Sequence, residues 1–90
     1  ALIAFDDEAQ VIELANRSVY GLAAYVFTRD YARIQRLGEQ LQTGMLGINT
    51  GLISNEMAPF GGIKQSGWGR EGSVYGLDDY LDIKYINESF

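Results

Sequence analysis

Leu22–Thr28, LAAYVFT, is apolar on both of its alternating faces, the pattern of a central strand covered on each side by another layer. The residues before it, Asn16-Arg17-Ser18-Val19-Tyr20-Gly21, read as a turn that Gly21 ends. Further upstream, Val11, Leu14 and Ala15 share one helical face, with Ile12 beside them and Glu8, Gln10 and Glu13 spread over the rest. Asp6-Asp7-Glu8 supplies a cap and negative charge for that helix, which should run to about Asn16. The opening ALIAF, Ala1–Phe5, reads as a short buried strand.

Downstream of LAAYVFT a second helix is expected, capped by Asp30 or Thr28 and burying Ile34, Leu37 and Leu41, with Gly44 as a left-handed terminator. Met45–Asn49, MLGIN, is then a third short strand. The fold class is therefore α/β, β-α-β-α-β, with parallel strands and right-handed crossovers. Ligands of open parallel sheets gather beyond the carboxyl ends of the strands. That rule places the loop Thr50–Phe60, TGLISNEMAPF, at the functional end.

The second half of the chain is different. Between Gly61 and Gly72 the only large apolar side chains are Ile63 and Trp68, so this segment cannot build a core of its own. Ser73–Tyr80 reads as a short helix. In Leu81–Ile86 the residues Leu81, Ile83 and Tyr85 alternate with Asp82 and Lys84. A terminal strand with one apolar face seeks a sheet edge, including one on another subunit.

Composition narrows the chemistry. The chain of 90 residues is 47% hydrophobic, and a domain this short buries only about 60–65% of its unfolded surface, so its core is marginal. A net charge of −5 lacks the electrostatic footprint of a nucleic-acid binder. No apolar run is long enough to span a bilayer, and no basic leader precedes an apolar segment, so no membrane partner and a cytoplasmic location are expected. The tripeptides Asn16-Arg17-Ser18 and Asn87-Glu88-Ser89 match the glycosylation acceptor pattern by chance. With no cysteine and no histidine, the chain has no thiolate nucleophile, no imidazole base and no expected metal site.

Gly67, Gly69 and Gly72 have the spacing G-x-G-x-x-G. A dinucleotide turn also needs a hydrophobic strand just before the first glycine and a helix at the last. Glu88 stands near the position of the ribose-binding acid, but GGIKQS is polar and glycine-rich where the strand should be. No cofactor-binding residue is therefore expected here. The glycines are better explained by close backbone packing or by positive φ. Lys64 does not sit in a phosphate-loop order.

The run APFGGIKQSGWGREGSVYGLDDYLDIKY resembles the C-terminal signature of the aldehyde dehydrogenase superfamily. The pattern P-F-G-G-x-K-x-S-G-x-G-R-E is met at Pro59, Phe60, Gly61, Gly62, Lys64, Ser66, Gly67, Gly69, Arg70 and Glu71, followed by Gly76-Leu77. The upstream A-N-x-x-x-Y-G-L turn is met by Ala15, Asn16, Tyr20, Gly21 and Leu22. Within that family, GLISNEMAPFGG is most similar to the succinate-semialdehyde dehydrogenases.

The resemblance implies residue roles. Ser54 matches a serine that helps hold the substrate's distal carboxylate, and the alternative for it is turn chemistry beside Asn55. Phe60 matches an aromatic wall beside the aldehyde, a role compatible with core packing. Glu71 matches a glutamate assigned to proton relay during thioester hydrolysis, and the alternative is an ordinary salt bridge. Arg70 and Asp82 match positions that brace a subunit interface, with Lys84 extending the same strand.

The family's reaction uses a cysteine thiolate, NAD or NADP and a glutamate base. A chain without cysteine cannot carry it out alone. The expectation is a C-terminal piece of a longer enzyme: residues 1–72 end the catalytic domain, and residues 73–90 form a short helix and an oligomerisation strand. Its partners would be a small aldehyde substrate and copies of itself, as a dimer or tetramer. Two rival readings are a stand-alone non-catalytic interaction module that adds its last strand to a partner's sheet, and a compact dinucleotide binder.

Overall fold

Two aspartates set where the helices begin. In the computed structural model, which describes all 90 residues, Asp7 Oδ1 accepts the amide of Gln10 at 2.8 Å and α1 runs Glu8–Asn16. Asp30 repeats the device for α2, Tyr31–Gln40, accepting the amide of Arg33 at 3.1 Å. Each carboxylate satisfies a donor that the first helical turn leaves unpaired. Thr28, the other candidate cap, instead accepts the amide of Asp30 at 3.2 Å. In α2 the expected apolar stripe is present: Leu37 is buried, and Ile34 and Leu41 are half-buried.

The strands are β1 (Tyr20–Gly21), β2 (Ala23–Val26), β3 (Met45–Ile48) and β4 (Ile63–Lys64). β2 and β3 pair in parallel, in register from Ala23↔Met45 to Val26↔Ile48, and α2 is the crossover between them. Asn49 fastens their carboxyl ends. Its Oδ1 accepts the amide of Thr28 and its Nδ2 donates to the Thr28 carbonyl, both at 2.9 Å. β1 and β4 pair antiparallel through Tyr20↔Lys64 and Gly21↔Ile63. The end of the segment read as a turn is thus a strand, because the glycine-rich connector folds back onto it.

Three further expectations change. Ala1–Phe5 forms no strand, because no neighbouring strand lies in the chain to pair with it, and Leu2, Ile3 and Phe5 are exposed. The alternation therefore reduces to one parallel β-α-β unit preceded by a helix. Gly44 is not left-handed; the helix ends at Leu41 in extended backbone. A Cβ on Gly44 would stand 2.7 Å from Gly62 Cα and closer still to the Gly61 carbonyl oxygen, so its need is for close approach. Leu81–Ile86 has no sheet partner within the chain, and the helix before it is a 3-10 helix, Tyr75–Tyr80. With Ile83 fully exposed and a radius of gyration of 17.7 Å, against about 12 Å for a compact chain of this length, the molecule extends well beyond its small core.

The helices meet through charge. Glu8 takes Arg33 Nε at 3.0 Å and Arg36 Nε at 2.6 Å. The hydrogen bond from Arg36 chiefly, then that from Arg33, lowers the Glu8 carboxyl from 4.5 to about 2. Since the folded carboxylate ionises below the unfolded one, the clamp stabilises fully above about pH 4.5 and is lost as pH falls towards 2. Amide exchange in α1 should accordingly be faster in Glu8→Gln than in the wild type at neutral pH, and the two should converge as pH approaches 2.

Two glycine substitutions should also part company in thermal melts. Gly38, with open space around it on α2, should gain about 0.5–1 kcal/mol on change to Ala. Gly44→Ala should lose about 1–3 kcal/mol through overpacking. A Gly44→Ala protein that melts like the wild type would mean the connector is not packed against this edge.

Candidate functional site

β3 ends at Ile48, and Asn49, with φ of 54°, turns the chain into the Thr50–Phe60 loop at the carboxyl end of the parallel pair. The loop is braced from within. Thr50 Oγ1 accepts the Leu52 amide at 3.1 Å, and Asn55 Oδ1 accepts the Met57 amide at 2.8 Å. The turn chemistry proposed for Ser54 thus belongs to Asn55. Ser54 is exposed, and its hydroxyl makes no hydrogen bond within the chain.

Phe60 closes the loop by pairing with the connector. Its amide donates to the Glu71 carbonyl at 2.8 Å, and the Glu71 amide donates back at 2.7 Å. The ring is half-buried while Glu71 is exposed and forms no ion pair within this chain. Arg70 is likewise unpaired with any carboxylate; its Nη1 donates to the carbonyls of Gly62 at 2.7 Å and Gly69 at 2.9 Å. Phe60, Arg70 and Glu71 line one cleft of about 580 Å³ together with Ser66, Trp68 and Asp79. Ser54 does not reach that cleft, and Asp82 and Lys84 lie on the exposed tail, away from it.

The residues fit a dinucleotide poorly. β4 ends at Lys64, a turn rather than a helix follows, and the 3-10 helix after Gly72 has only six residues. Gly67 and Gly72 have φ of 131° and 68°, and a Cβ on Gly69 would collide with the Asp79 carboxylate. Positive φ and close contact, the reasons expected from the sequence, account for these glycines.

Three polar side chains to which the sequence assigns no role tie distant segments together. Lys64 Nζ donates to the carbonyls of Asn16 at 2.9 Å and Ser18 at 3.0 Å, tying the end of α1 to β4. Asn16 Nδ2 donates to the Gln40 carbonyl while its Oδ1 accepts the Gln42 amide, each at 2.8 Å. Ser66 Oγ accepts the Gly21 amide at 2.9 Å. A helix-terminal asparagine facing a lone lysine in a polar run was the available signal, since both can serve carbonyls that a helix end leaves unpaired.

A parallel pair joined by a helix, with its loop clamped at the carboxyl end, is the ligand-end architecture of an open-sheet α/β protein. The aldehyde dehydrogenase family model matches residues 1–86, and the chain belongs to that family. It is 65% identical over 82 residues to a glutarate-semialdehyde dehydrogenase of Pseudomonas aeruginosa, covering 91% of this chain and 17% of that protein. It is 62% identical over 85 residues to an NADP(+) succinate-semialdehyde dehydrogenase of Escherichia coli, covering 94% and 18%. The crystal structure of succinate-semialdehyde dehydrogenase from Burkholderia pseudomallei superposes with a TM-score of 0.88 at 61% identity, covering 91% of this chain and 17% of that one. The chain therefore spans about a sixth of the length of the curated relatives it matches. No helix is long and apolar enough to cross a membrane.

Lys64→Met separates the two roles open to that lysine. Loss of its carbonyl contacts should cost about 1 kcal/mol of stability while leaving any affinity of the full-length protein for NAD(P) unchanged in fluorescence titration. A weakened cofactor affinity with an unaltered melting temperature would assign Lys64 to a phosphate instead.

Proposed function

We propose that this chain is the C-terminal segment of an NAD(P)-dependent aldehyde dehydrogenase that oxidises succinate semialdehyde to succinate, working as a cytoplasmic homo-oligomer. The observation that carries this reading is identity above 60%, over nine-tenths of the chain, to dehydrogenases named for semialdehydes. Succinate and glutarate semialdehyde both carry a carboxylate remote from the aldehyde, so a loop that serves such substrates must offer a donor to a distal anion. Family membership favours this reading over a stand-alone interaction module.

In this reading residues 1–72 complete the catalytic domain and residues 73–90 form the oligomerisation segment. Ser54, on the exposed outer part of the loop with its hydroxyl uncommitted, donates a hydrogen bond to the distal carboxylate. One hydroxyl does not neutralise that charge, so arginines outside this chain supply the counterion. Phe60 forms the apolar wall beside the aldehyde carbon. Glu71, free of ion pairs and lining the same cleft, relays a proton. Arg70 braces the connector beside the interface, and Asp82 and Lys84 engage a second subunit along the tail.

The chemistry is completed elsewhere in the enzyme, because this chain has no cysteine to form a thiohemiacetal. NAD(P) supplies the hydride acceptor when bound, and the residues here do not form its site.

In the intact enzyme, Ser54→Ala should raise KM for succinate semialdehyde roughly tenfold, the worth of one hydrogen bond to a charged group, and leave KM for an uncharged aldehyde of similar length unchanged. Equal effects on both aldehydes would sink the carboxylate role. The isolated 90-residue chain should show no aldehyde-dependent reduction of NAD or NADP.

A further inference from the structure

Gly72 and Ser73 are consecutive residues in left-handed backbone, with φ of 68° and 52°. That conformation is routine for glycine and uncommon for serine. The pair sends its polar groups in two directions. The Ser73 amide donates to the Glu56 carbonyl of the Thr50–Phe60 loop at 3.0 Å, while the Gly72 carbonyl accepts the Gly76 amide at 2.9 Å, just inside the 3-10 helix that leads to the tail. Ser73 Oγ accepts the Tyr75 amide at 3.2 Å, which gives the serine a local reason to hold its unfavourable φ. Of the other non-glycine residues with positive φ, Asn49 is held by Thr28 and Lys64 by the carbonyls at the end of α1. Ser73 is the one whose backbone reaches the loop.

We propose that Ser73 is a positioning residue for the substrate: its left-handed backbone pins Glu56, and the Phe60–Glu71 pairing pins the loop's end, so that the returning half of the loop is fixed at two points. The inference rests on the reading of Thr50–Phe60 as the substrate loop. Between the two pins stand only Met57, Ala58 and Pro59, a span too short to move independently of them. The outgoing half with Ser54 has no such tether to the connector. Release of the Glu56 pin frees the Asn55–Ala58 turn, and through it the position of Ser54 relative to Phe60. In that reading Ser54 touches only the distal carboxylate, so its displacement costs binding of the aldehyde rather than the chemical step.

The test uses the full-length enzyme. Ser73→Val is β-branched and disfavours positive φ, whereas Ser73→Asn tolerates it and keeps a side-chain acceptor. Ser73→Val should raise KM for the semialdehyde about tenfold with kcat nearly unchanged, and should speed amide exchange at Met57, Ala58 and Phe60. Ser73→Asn should restore both. Unchanged KM and exchange in Ser73→Val, or an Asn variant as impaired as Val, would overturn the proposal. If Ser73→Val does not accumulate as folded enzyme, Ser73→Ala, which removes the hydroxyl from the Tyr75 amide, is read by the same criteria. The exchange readout is independent of the aldehyde chosen. A wild-type enzyme indifferent to a distal carboxylate would therefore refute the substrate reading, while faster exchange in Ser73→Val would still uphold the tether.

Discussion

The structure depends on one backbone crossing. The connector Gly61–Gly62 lies against the start of β3 with no side chain between the two backbones, and a Cβ at Gly44 would stand 2.7 Å from Gly62 Cα. Glycine is the only residue that permits this separation. Because the two backbones touch, β4 reaches β1, Ser66 reaches the Gly21 amide, and Lys64 reaches the end of α1. The same crossing sets where Phe60 leaves the loop and where Arg70 and Glu71 come back, so the cleft is a consequence of it.

Hydrogen bonds hold this arrangement more than apolar packing does. Four residues are buried, and Leu37 is the only apolar side chain among them that is larger than glycine. The joints are instead made by bidentate side chains. Asn49 closes β2 against β3, Asn16 joins the ends of the two helices, and Glu8 takes two arginines. Exposed joints of this kind fix direction well and contribute little net stability each. Large apolar residues such as Phe5, Phe27, Leu52 and Ile83 remain in solvent, an unfavourable arrangement unless further surface covers them.

This balance explains which features could be read in the sequence. Both helices, their aspartate caps, the parallel pair and the buried Leu37 follow from periodicity and capping, which act within a few residues. The pairing of Tyr20–Gly21 with Ile63–Lys64 joins positions far apart in the chain over only two residues, too short a run to leave a pattern. ALIAF and Leu81–Ile86 carry strand patterns but no strand, because a strand is defined by its neighbour and neither segment has one in this chain. A glycine after a helix fits the left-handed terminator by a local rule, whereas the demand on Gly44 comes from the connector. Of the candidate residues, Phe60, Arg70 and Glu71 converge because they flank one pairing. Ser54, Asp82 and Lys84 sit in exposed segments and do not join that cleft.

The division of the loop follows from the same physics. Its returning half, Glu56 to Phe60, is bonded at two points to the connector, and the connector is bonded to β1. That half is therefore part of the rigid body. Its outgoing half, Gly51 to Ser54, is held by local turn contacts and by the packing of Ile53 over Gly47, where a Cβ on the glycine would come within 2.9 Å of Ile53 Cγ2. The two halves of the loop are thus held differently, the returning one by the connector and the outgoing one by its own turn contacts and by β3.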